Sequence, residues 1–445
     1  MKIFKMFTTV LAMLLMIAMI ATLSGCGSDD AGPGQGTGAG GAQIIDQGVT
    51  DDEIRIGMVF PVSGWAAFFG VPLHDTVAAA INRANAHGGI GGRQINFIFH
   101  DDGLDHFQGH TLLETLLEVD EVFALVCLSG AQAPISYEYL MDFGVPILGM
   151  TGGAGFMYYE YNPGHRLFNV QPSNNIDSPL LLARVLTMPA FGPNGDEYLP
   201  DDAIIGFITA PTEAGFELAD ELGRVAREIG VYDRIIFEFG TSEIYPTLLH
   251  NIRAAGAETL IYAGMGGMAV QAAMYDMVWN TPLFATYGLS VVTSWSTETW
   301  SPERRILANA WAEAVSHEAT AHLDDMRDAL NYNPWMDDAT RDSYIDNGFA
   351  MVGFYTGLIL VETLNRIHEL GLDWSWESFV YAIEYAPHIH GGIPPVDFSG
   401  GARMGVTSLA LWEFTVVDGE PYQELVSDFD DLETILAPWR ARTGN

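Results

Sequence analysis

The chain has 445 residues, of which 57 are acidic and 19 are basic, so its formal net charge is −38 at pH 7. A surface this acidic repels nucleic acid and anionic lipid head groups, and no basic stripe offsets it, so we predict no nucleic-acid partner. The only two lysines are Lys2 and Lys5, and every later cationic side chain is arginine. Schiff-base chemistry, a phosphate-loop lysine and a lysine general base are therefore excluded beyond the first few residues.

The N-terminal residues have the pattern of an export signal. Lys2 and Lys5 give a positive start, an uncharged apolar run covers 7–21, and small residues lead into Cys26. The run is too short for a comfortable bilayer span, which needs roughly 20 apolar residues, so a signal peptide fits better than a transmembrane helix. The sequence LSGC at 23–26 resembles the lipobox of bacterial lipoproteins, which implies cleavage before Cys26 and lipid on its sulfur. An uncleaved anchor or an ordinary secretory signal is the alternative.

The segment after Cys26 is rich in glycine and polar residues and cannot bury enough apolar surface to fold. We therefore predict a lipoprotein signal peptide over 1–25 and a lipid anchor with a flexible tether over 26–50. The remaining length is sufficient for two domains with full cores. With Cys26 modified, Cys127 has no partner, so no disulfide is predicted. Its apolar surroundings predict a buried, inert thiol.

From residue 54 the sequence alternates between short β-rich runs and amphipathic helical segments. The first unit predicts strands over 54–60, 94–99, 122–128 and 145–149, with helices over about 73–84, 107–118 and 132–143. This βαβα alternation indicates a parallel sheet with helices on both faces.

The pattern pauses over 163–175 and then restarts. The second unit predicts strands over 203–209, 234–239, 258–263 and 282–287, with helices over 213–229, 246–255 and 267–279. Three further helices are predicted over about 302–320, 345–370 and 375–385. The apolar run 349–360 is too short to span a membrane and predicts a buried core helix. A hairpin-like piece with Asp418-Gly419 as its turn signal comes last.

Four stretches resemble a known family, the type I periplasmic binding proteins of the leucine/isoleucine/valine-binding kind, which are receptors of branched-chain amino acid ABC importers. The similarity covers about residues 52–425. The stretches that carry it are 54–64 with Gly70, 81–93, 143–146, and 392–395 followed by 401–405. In the last of them Arg403 stands in place of the family's histidine.

The resemblance implies an α/β fold of two doubly wound, Rossmann-like lobes, joined by a three-crossing hinge and closing on a small solute. The first lobe would comprise 51–168 and 290–400, and the second lobe 169–289 and 401–445. Members of this family carry no catalytic residues, and a closed cleft presents the solute to a membrane permease. We expect no cofactor.

Open α/β sheets bind ligands at the carboxyl ends of their strands, where small residues allow backbone N–H groups to approach a ligand anion. The resemblance assigns the loops at 129–131 and 151–153 to a ligand carboxylate or amide. Aromatic residues, Phe68 among them, would supply an apolar wall, although each taken singly is more often a core residue. The predicted ligand-binding residues are Ser63, Trp65, Phe69, Ser129, Gly130, Ala131, Thr151, Gly152, Gly153, Phe216, Met265 and Tyr287.

One departure from the family concerns the ligand. Its amino-acid binders hold the α-ammonium with an acidic residue of the second lobe, near what is here Tyr287-Gly288, and the sequence has no carboxylate there. Relatives that bind amides, urea or aromatic acids therefore stay open. No metal site is predicted either: His317 and His322 are five residues apart, one too many for a zinc-protease helix, and His388 and His390 lack a third ligand.

The leading prediction is a monomeric extracytoplasmic receptor, anchored by lipid to the outer face of a bacterial cell membrane. Its partners would be a small polar solute, such as a branched-chain amino acid or a related amino acid or amide, and ABC permease subunits. Two alternatives remain from the residues alone: a sensor of the same fold, and a surface-anchored hydrolase.

Overall fold

The computed structural model describes residues 45–129, 133–151, 165–191, 196–264, 266–289, 294–312, 321–345 and 347–443. The predicted signal peptide, the lipobox with Cys26 and the tether up to residue 44 lie outside the described residues.

The first lobe is built on a parallel five-stranded sheet with the order β2-β1-β3-β4-β5. Its strands are β1 (Glu53–Val59), β2 (Gln94–His100), β3 (Ala124–Ser129), β4 (Ile147–Thr151) and β5 (Leu167–Phe168). The helices between them are α1 (Ala67–Ala86), α2 (His106–Glu118) and α3 (Ala133–Phe143). Met58 and Val59 are neighbours in β1 whose side chains point to opposite faces of the sheet, and both are fully buried, as is Ile56. Both faces are buried because helices cover both sides of a parallel sheet.

The second lobe begins with α4 (Asn174–Thr187) and a short hairpin of β6 (Pro189–Phe191) and β7 (Glu197–Tyr198). Its main elements are β8 (Ile204–Thr209), α5 (Glu213–Glu228), β9 (Ile235–Phe239), α6 (Tyr245–Ala254), β10 (Ala257–Ala263), α7 (Gly267–Asp276), β11 (Leu283–Ala285) and β12 (Ile306–Ala310). Separate hydrophobic clusters lie on the α4–α5 side and on the α6–α7 side of this sheet, which is the doubly wound arrangement that the sequence predicted.

Four helices then return to the first lobe: α8 (Ala321–Leu330), α9 (Asp338–Ile345), α10 (Gly348–Glu369) and α11 (Trp376–Glu384). Helix α10 packs closely along α1, because Gly353 and Gly357 present no side chain to it: a Cβ on Gly353 would lie 2.1 Å from the carbonyl oxygen of Leu73. By length and composition alone α10 could cross a membrane, but 67% of its apolar window is buried in the fold. It is the predicted core helix.

The chain finishes in the second lobe with β13 (Ser408–Val417), β14 (Glu420–Asp431) and α12 (Leu432–Thr443). The complete sheet has the order β14-β13-β12-β11-β10-β8-β9. Strand β13 pairs antiparallel with both β12 and β14, whereas the other pairs are parallel. The predicted hairpin around Asp418-Gly419 is confirmed.

Three connections join the lobes: 169–173, one that begins at 311–312, and 402–407. The first and third pair with each other, since the Asn169 N–H donates to the Arg403 carbonyl at 2.8 Å and the Gly405 N–H donates to the Asn169 carbonyl at 2.9 Å. In the second, Trp311 stacks edge-on against Tyr355 of α10 with their ring centres 5.9 Å apart. Residues 313–320 of that segment lie outside the described part of the chain.

Three predictions about chain organisation were wrong. Residues 45–50, predicted as the end of the flexible tether, pack on the first lobe instead: Val49 is buried, and the Asp46 N–H donates to the Trp374 carbonyl at 2.9 Å. The helix predicted over 302–320 is the strand β12 over 306–310, which pairs with β11 and β13. These five residues are therefore part of the second lobe's sheet, although the predicted boundary at 290 had placed them in the first lobe. All five are buried, and a short, wholly buried run has no period by which the sequence could distinguish strand from helix.

Candidate functional site

Each sheet has a switch point, a pair of adjacent strands from which the chain winds in opposite directions. In the first lobe it lies between β1 and β3, and in the second lobe between β8 and β10. Ligands of open α/β sheets bind outside the carboxyl ends of the strands at such a point. The loops that begin there follow Val59, Ser129, Thr209 and Ala263.

The predicted site residues fall on these loops or on the neighbouring ones. Ser63 and Trp65 follow β1, Ser129 and Thr151 end β3 and β4, Phe216 is in the first turn of α5, and Tyr287 opens a helical turn after β11. Gly130, Ala131, Gly152, Gly153 and Met265 lie outside the described residues, as do the side chains of Trp65, Ser129 and Thr151. The site is therefore built below from the side chains that the structure describes.

Asp101, directly after β2, braces the loop that follows β1. Its carboxylate accepts hydrogen bonds from the N–H groups of Val62 at 3.0 Å and Gly103 at 2.9 Å, and the Ser63 hydroxyl also bonds to it. Burial alone would raise the pKa of Asp101, but these hydrogen bonds outweigh it and lower the pKa below its ordinary value. Asp101 is thus ionised, and it fixes the exposed Ser63 at the carboxyl edge of the first lobe's sheet.

An aromatic cluster stands beside this loop. Phe68 is 58% exposed, and its ring lies 5.1 Å from Phe69 and 6.0 Å from Phe349, edge to face in both cases. Phe69 packs inward against Phe60, so it supports the cluster rather than presenting a free face. Phe349 was not among the predicted residues, because it follows Phe68 by 281 positions and reaches it only through the close packing of α10 on α1.

The second lobe presents a matching aromatic pair. Phe216 is 48% exposed, and its ring lies 5.2 Å from that of Phe239, the last residue of β9. Thr212 caps α5 by accepting from the Gly215 N–H at 3.2 Å. A Cβ on Gly215 would lie 2.0 Å from the Ala210 carbonyl oxygen, so only glycine permits this tight turn. The turn is what projects Phe216 from the carboxyl edge of the sheet.

The glycines after β10 have a packing role. The Gly266 N–H donates to the Tyr262 hydroxyl at 2.9 Å, and that hydroxyl is also 2.8 Å from the Tyr245 hydroxyl. A Cβ on Gly267 would lie 2.5 Å from the Ser294 carbonyl oxygen. At Gly266 and Gly267, the close approach of other protein atoms is enough to explain why the residue is glycine, and no ligand is needed to explain it.

Sequence reasoning missed a buried carboxylate below the second lobe's side of the cleft. Asp177, in the first turn of α4, accepts a hydrogen bond from the Tyr287 N–H at 3.1 Å and another from Asn309 Nδ2 at 2.8 Å. The statement that no carboxylate stands near Tyr287 is therefore wrong in space, although it holds along the chain. Asp177 is only 1% exposed, so it positions the Tyr287 turn and presents no open face to a solute.

The environment of Asp177 perturbs its protonation. Burial raises its pKa to about 7, against the opposing effects of the hydrogen bonds from Asn309 and Tyr287 and of the Arg184 charge. The pKa of the Tyr287 phenol is also raised, first by burial and then by the charge of Asp177. Tyr287 packs partly against the first lobe's core, so this pair lies where the two lobes meet.

The two C-terminal histidines belong to an ion-pair cluster on α10. His388 Nδ1 lies 2.8 Å from Glu362 Oε2 and His390 Nε2 lies 3.3 Å from the same atom, while Arg366 Nη2 donates to Glu362 Oε1 at 2.6 Å. Burial would raise the pKa of Glu362, but the hydrogen bonds from the histidines and the charge of Arg366 lower it below its ordinary value. Among the described residues, no group of three or more potential ligands has the arrangement of a metal site.

A family comparison decides the class of protein. The family model described as "Periplasmic binding protein" matches residues 53–414, which is most of the chain. The chain belongs to the periplasmic binding protein family. The predicted family resemblance and the predicted fold are thereby confirmed. The chain is a type I binding protein of the leucine/isoleucine/valine-binding kind, and this family consists of solute receptors that lie outside the cytoplasm.

Relatives of this binding protein share little sequence but much of the fold. It is 24% identical over 226 residues to the Leu/Ile/Val-binding protein homolog 2 of Brucella abortus strain 2308, a match that covers 50% of this chain and 57% of that relative. The alignment thus spans little more than half of the curated relative's length.

Two solved structures match far more completely. A branched-chain amino acid ABC transporter protein from Thermus thermophilus with bound valine has a TM-score of 0.68 at 13% identity, covering 89% of this chain and 100% of its own. A fatty acid ABC transporter substrate-binding protein from Thermomonospora curvata has a TM-score of 0.66 at 12% identity, covering 88% and 96%. At these identities the likeness establishes the fold alone.

Proposed function

We propose that this chain is the receptor of an ABC importer and that it captures a small solute with a polar head and an apolar body, of the branched-chain amino acid or related amino acid and amide class. The observation that carries the proposal is the pair of exposed aromatic rings, Phe68 and Phe216, at the switch points of the two sheets. Both rings lie at the carboxyl edge of a sheet, which is where open α/β sheets bind their ligands.

The relatives support this solute class. Valine and fatty acids, which appear in the descriptions of two solved relatives, both combine a carboxylate with an apolar body. In this chain the polar head would face the loops at 129–131 and 151–153, and the apolar body would lie between Phe68 and Phe216. Asp177 stabilises the floor of the site through the Tyr287 turn and does not contact the solute.

The test is ligand-dependent thermal unfolding of the purified full-length chain in mild detergent. The panel is leucine, valine, phenylalanine, leucinamide, urea and benzoate. A ligand that binds only the folded form adds RT ln(1 + [L]/Kd) to the free energy of unfolding, about 2.7 kcal/mol at a hundredfold excess over Kd. We expect at least one apolar amino acid or amide to raise Tm. A panel that leaves Tm unchanged would contradict the proposed solute class.

A matched pair of variants locates the effect in the cleft. Phe216→Ala removes an aromatic ring at the carboxyl edge of the second sheet, and Tyr232→Ala removes one at the opposite edge, before β9. Loss of a buried aromatic contact should weaken solute binding about tenfold or more in Phe216→Ala. Tyr232→Ala should bind as the wild type does. Equal affinities in the two variants would place the solute elsewhere.

We also propose that Cys26 is lipid-modified and holds the receptor on the outer face of the cell membrane as a monomer. Mass spectrometry of the membrane-extracted chain should find Cys26 at the N-terminus and modified by lipid. Sedimentation of the detergent-extracted protein should give a protein mass near that of one mature chain, somewhat below the 48.5 kDa of the full sequence because residues 1–25 are removed. An unmodified Cys26 would contradict the lipid anchor, and the mass of a dimer would contradict the monomeric state.

A further inference from the structure

A second cavity lies in the second lobe, away from the cleft. Its volume is about 370 Å³, it is open to solvent on one side, and it is lined by the last turn of α4, strand β14 and helix α12. Small-molecule sites in proteins begin at about 300 Å³. Helix α4 carries Asp177 in its first turn, near the cleft, and Arg184 at this distal cavity, a separation of about 10 Å along the helix axis. The two sites are therefore distinct.

The floor of the distal cavity is a buried cation. Arg184 is 1% exposed, and its Nη2 donates to the carbonyl oxygen of Leu409. Its Nε and Nη1 have no hydrogen-bond partner among the described residues. Burial lowers the pKa of Arg184 to about 10, which still leaves the group charged at neutral pH. A buried guanidinium with unused donors is costly, and proteins normally pair such a charge.

An unmatched anion lines the same cavity. Asp430 is partly buried and forms no ion pair within 4.0 Å in the part of the chain that the structure describes. The other lining guanidinium, Arg305, already donates through Nε to Glu413 at 2.9 Å and has a second contact to the same carboxylate. Arg184 and Asp430 are thus opposite charges at one cavity that attract each other through space but form no ion pair within 4.0 Å. Met188, Val426 and Ile435 give the cavity apolar walls.

We propose that the distal cavity binds a small zwitterion with an apolar side chain, its carboxylate toward Arg184 and its ammonium toward Asp430. A plain carboxylate would be attracted by Arg184 but repelled by Asp430, and a plain amine would meet the reverse. A zwitterion complements both charges at once. The proposal does not depend on which solute the cleft takes.

The test is titration calorimetry on the purified full-length chain with three probes of equal chain length: norvaline, pentanoate and pentylamine. Ser427→Phe places a ring at the cavity lining without changing either charge, and Asp430→Asn removes the anion. Asp428→Asn is the matched control, because Asp428 is an exposed carboxylate on the same strand. Norvaline bound in the cleft would be unaffected by Ser427→Phe, so the cleft and the distal cavity are distinguished.

We expect a norvaline-binding component that Ser427→Phe abolishes and that Asp430→Asn weakens about tenfold or more, the effect of losing a hydrogen bond to a charged group. Asp428→Asn should leave it unchanged, and pentanoate and pentylamine should bind at least about tenfold more weakly than norvaline. Three results would each overturn the proposal: no component sensitive to Ser427→Phe, pentanoate or pentylamine binding as tightly as norvaline at the site that Ser427→Phe blocks, or a large loss of stability in Asp430→Asn with no probe bound. The last would identify Asp430 as the internal partner of Arg184.

Discussion

Replacing Asp177 by asparagine should remove a pH dependence from the stability of the folded chain. The substitution keeps an oxygen that can accept from the Tyr287 N–H and from Asn309, and it removes the titrating group. In the wild type the carboxyl has a pKa of about 7 when folded and about 3.9 when unfolded. Between those values the folded state holds a proton that the unfolded state has released.

The sign and size follow from linkage. Because the folded state binds more protons than the unfolded state over this range, the free energy of unfolding falls as the pH rises from about 4 and levels off above about 7. Each unit of pKa difference corresponds to about 1.4 kcal/mol, so the whole loss is about 4 kcal/mol, of which about 3 kcal/mol falls between pH 5 and 8.

Urea unfolding at pH 5, 6, 7 and 8, followed by far-ultraviolet circular dichroism, measures this effect. The quantity to compare is the wild-type free energy of unfolding minus that of Asp177→Asn, because other titrating groups cancel in the difference. That difference should fall by about 3 kcal/mol from pH 5 to 8. Asp220→Asn, which alters an exposed carboxylate of α5, should show no such trend. A difference that stays constant or rises with pH would refute the raised pKa and show that the hydrogen bonds and the Arg184 charge outweigh the effect of burial.

Three further outcomes are expected. Gly353→Ala should lower the free energy of unfolding by about 1–3 kcal/mol, since its Cβ would meet the Leu73 carbonyl oxygen; Glu369→Ala, at the exposed end of the same helix, is the control, and equal urea midpoints would contradict the close packing. Arg403→Lys should lower the free energy of unfolding by about 2 kcal/mol, because lysine cannot reproduce the guanidinium's hydrogen bonds to the His165 carbonyl and to Glu384, at 2.6 Å each. An unchanged urea midpoint would show that a single ammonium group replaces both hydrogen bonds. Cys127, 1% exposed with its thiol pKa raised by burial to about 12, should resist maleimide at pH 8 until urea unfolds the chain; peptide mapping of a modified Cys127 in the native protein would refute its burial.

The sequence was sufficient for the order of the two α/β units. Their strands are short apolar runs separated by helical periods, and such patterns survive in the fold because burial imposes them. It failed at 306–310, where a run buried on all sides has no period, and at α4, which begins with Asn174-Asn175 and contains Pro179. Missing α4 also removed Asp177 from consideration.

The candidate site was predictable as a set of loops and much less so as a set of side chains. Parallel strands bring their carboxyl ends to one edge whatever their residues are, so the positions of Ser63, Phe216 and Tyr287 followed from topology. Contacts between segments far apart in the sequence did not follow from topology. Asp177 and Tyr287 are 110 positions apart, and Phe349 contacts Phe68 only because glycines let α10 pack closely against α1. Neither pairing leaves a signal in a single sequence.

Two of the segments that connect the lobes are hydrogen-bonded to each other at Asn169 and Gly405, and this pairing restricts how one lobe can move relative to the other. Two independent tethers would permit shear, twist and bend separately, but two segments hydrogen-bonded into a ribbon must deform together. In a receptor that closes on a solute, this coupling would confine most of the relative movement to one angular coordinate. Less orientational entropy would then be lost on closure, and more of the contact energy of a weakly bound solute would be available as affinity.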